Sequence, residues 1–205
     1  MPQESKIARG NPPSPSSAGP DIELSQKLDR IAGELYSLAS MLVGEGEQSV
    51  QLVESALKNS EVSACHDPKE SRKSSRRALA TAALERLALN NPGALAAPEG
   101  LIAASICIED DDLASAGISQ EELGKMIAGP DRDRGRAWLA SLPTAMRAIF
   151  VLRAVGGLTA VETNALLKAN GGPAAASWTP ELTREVFRQG LCSLASQLIH
   201  SSGQR

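Results

Sequence analysis

The chain has 205 residues, 42% of them apolar, and a formal net charge of −3. That is enough material for one large domain or two small ones, and the net charge alone points to no partner. No apolar run reaches the length of a membrane span and residues 1–20 carry no apolar signal core, so a cytoplasmic protein is expected.

Only Tyr36, Trp138, Phe150, Trp178 and Phe187 are aromatic, so the core must be built mainly from Leu, Ala, Val and Ile. Abundant Ala and Leu, with few alternating β-branched runs, predict an all-α protein. Cys65, Cys107 and Cys192 are odd in number and far apart, which fits a reducing compartment. Charge is unevenly spread. Residues 69–86 carry a balance of +4, residues 99–133 one of −7, and residues 134–205 one of +5. Two basic blocks are therefore separated by an acidic one.

Residues 1–20 are rich in Pro, Gly and Ser and read as a disordered tail. Residues 21–43 predict a helix, because Leu24, Leu28, Ile31, Leu35, Leu38 and Leu42 recur at steps of four and three. Asp21 is its candidate N-cap and Gly44 its candidate C′ residue. A second helix is expected over 49–58, with Val50, Val53 and Leu57 on one side. Residues 59–68 read as a loop. A third helix is expected over about 70–90, with Ala78, Leu79, Ala82, Ala83 and Leu87 opposite a basic face. Together, residues 21–91 form the first expected domain.

Residues 92–135 read as an acidic linker with two short helices, at 99–107 and 119–128. The run Glu109 to Asp112 lacks the alternate-ligand spacing and glycine of a calcium loop. Cys65-His66 has no ligand partners at metal-site spacing. No metal, cofactor or catalytic constellation is expected.

Residues 136–200 form the second expected domain. Pro143 suits a helix start, and Gly156-Gly157 stops that helix. Thr159 and Glu162 are spaced as a capping box for the next helix. Thr179-Pro180-Glu181 opens the last helix, which runs through Leu182, Val186, Leu191, Leu194 and Leu198. Short helices joined by a glycine turn, then a further capped helix, are laid out like a helix-turn-helix DNA reader. Trp178, in the preceding loop, reads equally well as a partner anchor or as a plug between helices.

The order Leu142-Pro143, Arg147, Phe150-Val151-Leu152-Arg153, Gly157-Leu158-Thr159 resembles the C-terminal domain of bacterial RNA polymerase sigma factors of the extracytoplasmic-function (ECF) type. Tyr36, Leu42, Gly44, Glu45, Glu47, Leu52, Val53 and Ala56 resemble the family's N-terminal domain. So do Arg76, Arg77, Ala83, Leu84, Arg86 and Leu87.

The resemblance implies two small helical domains, a sigma region 2-like domain and a region 4-like helix-turn-helix domain, joined by the acidic linker. It implies binding to the β′ clamp of core RNA polymerase through Gln51, Leu52, Glu54 and Ser55. It implies promoter DNA contacts through Lys69, Arg72, Lys73, Arg76 and Arg77, and through Thr183, Arg184 and Arg188 on the last helix. An anti-sigma factor is a further implied partner. The expected function is promoter recognition and transcription initiation; the alternative is a sigma-like interaction module with little DNA binding.

The chain departs from the family at DNA-contacting positions. No aromatic lies between residues 37 and 137, residues 169–178 form an insertion, and Glu181 sits in the first turn of the recognition helix.

Overall fold

A computed structural model describes residues 20–60, 67–98 and 132–202. The expected tail, most of the expected 59–68 loop, and the acidic run with its two short helices lie outside the described residues.

Among the described residues the chain is all-helical. The helices are α1 (Pro20–Val43), α2 (Glu47–Asn59), α3 (Pro68–Asn90), α4 (Arg132–Ser141), α5 (Thr144–Ala154), α6 (Ala160–Asn170) and α7 (Pro180–Ser202). A single 3-10 turn, Pro173–Ala175, lies between α6 and α7.

The periodicity of α1 predicts one apolar stripe. Ile31, Leu35, Leu38 and Leu42 are buried as that stripe requires, whereas Leu28 stays 37% exposed. From Leu38 to Leu42 the helix is buried on every side, including Ala39, Ser40 and Met41. The reason is tertiary: α1 packs against α2 and α3 and also against α5. Gly44 follows α1 as expected, and its N–H donates to the Ser40 carbonyl at 3.0 Å.

Helix α3 begins two residues earlier than the periodicity suggests. The Asp67 carboxylate accepts from the Lys69 N–H at 3.1 Å, and Pro68 occupies the first helical position. An acidic cap followed by proline satisfies one orphan donor and removes another. Downstream of α3 the chain turns back on itself. The Asn91 and Gly93 carbonyls accept from the Ala94 and Ala96 N–H groups, and Leu95 is fully buried.

Helix α5 is the apolar centre of the second half. Ala145, Ala148, Ile149, Phe150, Val151, Leu152 and Ala154 are all buried, more than one amphipathic face would place inside. Its partners are α7, α6 and α1. The turn after α5 holds Gly157 at φ 78°, a left-handed conformation that favours glycine. The Leu158 N–H then donates to the Leu152 carbonyl, closing the helix end.

The expected capping box at α6 is present in both directions. Thr159 Oγ1 accepts from the Glu162 N–H at 3.2 Å, and the Glu162 carboxylate accepts from the Thr159 N–H at 2.9 Å. Thr179 caps α7, accepting from the Leu182 N–H at 3.1 Å.

Four aromatics organise the packing here. Trp138 meets Phe150 edge to face with ring centroids 4.8 Å apart, and Phe150 lies 5.5 Å from Phe187. At Gly190 a β-carbon would lie 2.8 Å from Phe150 Cδ2, so α7 crosses α5 where only hydrogen fits. Trp178 is the fourth, and it joins the two halves. One continuous set of buried apolar side chains runs from Ile31 to Leu194.

Candidate functional site

The implied polymerase face lies on α2. Ser49, Leu52, Val53 and Ala56 are its buried residues, a helical stripe that faces α1 and α3. Leu52 is 2% exposed. It was expected as a polymerase contact and is instead a core residue, because α2 is covered by two neighbours rather than one. Gln51 and Glu54 are exposed, and Ser55 is half-buried. Gln51 is held in place: its Nε2 donates to Glu47 Oε1 at 3.0 Å, and its Oε1 accepts from Arg86 Nη1 at 3.1 Å. Val50, 44% exposed, adds an apolar spot beside them.

The basic residues of α3 divide into two rows. Lys69, Lys73 and Arg77 follow each other at four-residue steps and are all exposed. Each step advances about 6 Å along the helix, so the three cations form one line. Arg72 and Arg76 form the neighbouring row, and both reach Glu34 of α1, at 3.4 Å and 3.3 Å. One carboxylate therefore sits between two guanidiniums.

A second acid meets the first row. Glu162 at the start of α6 lies 3.8 Å from Lys73. Its carboxyl is held below the ordinary glutamate range, first by the Thr159 backbone N–H, then by the Thr159 hydroxyl, and further by Lys73 and Arg77. Sequence reasoning missed both acids as members of this site. Glu34 lies 42 residues from Arg76, and no local spacing links them.

Helix α7 presents a different picture. Thr183 is fully buried, and its hydroxyl donates to the Thr179 carbonyl at 2.9 Å. The expectation that it contacts DNA is corrected: the side chain serves the first turn of its own helix. Arg184 is exposed and pairs with Glu181 at 3.5 Å. Arg188 pairs with Glu185 at 3.0 Å. Glu181 is held below the usual glutamate range, chiefly by a hydrogen bond from its own backbone N–H. Both expected DNA-contacting arginines of α7 thus have an acid three residues before them.

The insertion ends in Trp178, which is fully buried and donates from Nε1 to the Leu95 carbonyl at 2.8 Å. Of the two readings of this residue, the structure selects the plug. Trp178 fastens the α6–α7 connection to the turn that follows α3.

Among the described residues no group of three His, Cys, Asp or Glu side chains could hold a metal ion. Cys192 is half-buried and disulfide-bonded, which runs against the reducing compartment expected from the number and spacing of the cysteines. No described helix is long and apolar enough to cross a membrane.

No protein-family model, no curated protein and no solved structure matches this chain.

Proposed function

We propose that the chain is an ECF-like sigma factor that acts in the cytoplasm, binding core RNA polymerase through the outer face of α2 and promoter DNA through α3. The sequence resemblance motivates the reading. The observation that carries it furthest is the exposed line of Lys69, Lys73 and Arg77. Cations at regular intervals along one helix suit a phosphate backbone, and each contact adds to the salt dependence of binding. On α2 the contacts fall to Gln51 and Glu54, with Ser55 and Val50 beside them. Polymerase supplies the chemistry of RNA synthesis; this chain supplies the address.

A second reading is favoured by a specific observation. The Glu181–Arg184 and Glu185–Arg188 pairs leave α7 without a surplus of positive charge. In this reading the protein is a sigma-like interaction module that holds polymerase, or an anti-sigma factor, with little DNA affinity.

Co-purification of core polymerase with the full chain tests the proposal. Retention is expected, with loss in the Gln51→Lys/Glu54→Lys double variant and helical circular dichroism unchanged. Absence of any retention contradicts the polymerase assignment. Retention that is indifferent to both substitutions contradicts the α2 face.

A further inference from the structure

The two halves of the molecule meet along an open cleft of about 390 Å³. One wall is the end of α1, with Met41 and Glu45; the other is α4 and the first turn of α5, with Leu139, Ala140 and Arg147. Nothing in the proposed function uses this cleft, and its charges are unequal in status. Arg136 is committed, donating to Glu45 and, at 3.2 Å, to Ser40 Oγ. Arg147 is not. Its guanidinium makes no hydrogen bond or ion pair with the described residues, and its Nε is buried without an acceptor.

A half-buried guanidinium with no acceptor is costly. Burial lowers the affinity of Arg147 for its proton, although arginine remains charged. A planar, two-oxygen anion is the group whose geometry satisfies it. The remaining lining limits what that anion can be. Glu45 and Asp133 stand at the rim and oppose a highly charged ligand. Ala137 and Ala140 are exposed and offer an apolar surface for the body of the ligand, whereas Met41 and Leu139 are buried and present only their edges to the cleft.

From these features we infer that the cleft is a binding site for a small organic carboxylate, its carboxylate on the Arg147 guanidinium and its apolar body against Ala137 and Ala140. The site spans both halves, so a bound ligand ties α1 to α4 and α5. Binding to this arrangement alone stabilises it by mass action. The inference is independent of polymerase and DNA.

The test uses the full-length, isotope-labelled chain with benzoate as the probe. Nuclear magnetic resonance titration is expected to show saturable shifts confined to residues 40–45 and 136–147, including the Arg147 Nε–H signal. The melting temperature is expected to rise with benzoate. Benzyl alcohol, which has the ring without the charge, is expected to bind at least about tenfold more weakly. Inorganic phosphate is expected to bind more weakly than benzoate, because the rim acids oppose it and the apolar wall is unused.

Arg147→Met is expected to weaken benzoate by about tenfold or more. Ala140→Phe fills the cleft while leaving Arg147 in place, and is expected to abolish binding without lowering the melting temperature of the free protein. This second variant decides the matter if Arg147→Met fails to fold. Absence of saturable shifts at millimolar benzoate overturns the inference. So does benzoate binding that survives Ala140→Phe, or benzyl alcohol binding as well as benzoate.

Discussion

The Trp178 indole donates a 2.8 Å hydrogen bond to the Leu95 carbonyl across 83 residues of sequence, and both residues are fully buried. This contact joins the connection before α7 to the turn after α3. Trp178→Phe keeps most of the packing but leaves the carbonyl unpaired, which is expected to cost about 1–3 kcal/mol. Trp178→Ala also opens a cavity, and a loss of about 3–5 kcal/mol is expected. Urea denaturation of the two variants measures the difference. A negligible loss in Trp178→Phe would mean that the hydrogen bond contributes nothing, and equal losses in the two variants would mean that the cavity costs nothing beyond it.

Gly190 and Gly33 make opposite predictions for the same substitution. A β-carbon at Gly190 meets the Phe150 ring at 2.8 Å, while one at Gly33 meets nothing within 4 Å. Gly190→Ala is expected to destabilise by about 1–3 kcal/mol through overpacking. Gly33→Ala, inside α1, is expected to stabilise by up to about 1 kcal/mol through helix propensity. Thermal unfolding of both variants checks the sign of each.

Glu162 makes stability depend on pH. Its folded pKa lies below its unfolded value because the Thr159 N–H stabilises the carboxylate, followed by the Thr159 hydroxyl, Lys73 and Arg77. Its contribution is therefore complete above the ordinary glutamate range and is lost as pH falls through the lowered folded value. Glu162→Ala is expected to cost about 1 kcal/mol near neutral pH by removing the capping box. The gap between variant and parent should narrow in acid. Denaturation at several pH values tests this, and a gap that widens in acid contradicts it.

The two acids on α7 offer a test of its role. If Arg184 contacts DNA, Glu181 competes for it, and Glu181→Gln is expected to strengthen binding and steepen its salt dependence. On α3, replacing Lys69, Lys73 and Arg77 by Gln is expected to flatten the salt dependence of DNA binding by the full chain. A salt series of fluorescence anisotropy covers both. No change in either set of variants favours the interaction module.

Much of the helical framework is legible in the sequence because it rests on local chemistry. Thr159 and Glu162 lie three residues apart and form the expected capping box. Thr179 before Pro180 opens α7 where its composition predicts. The early start of α3 was also legible in principle, since Asp67-Pro68 is a cap followed by a first-turn proline. Long-range packing was not. Leu52 and Val53 are adjacent, and only the presence of both α1 and α3 buries the pair. The Glu34 clamp on Arg72 and Arg76, the Trp178 plug and the uncommitted Arg147 all depend on how distant helices meet, which no local spacing encodes.

Run-off transcription is the most direct test of the central claim. Core polymerase is mixed with the full chain on the promoter neighbouring its gene. Discrete transcripts that require the chain are expected, and they are lost when Lys69, Lys73 and Arg77 are replaced by Gln. Polymerase that binds the chain yet initiates nothing on this template would contradict the claim and leave the interaction module as the function.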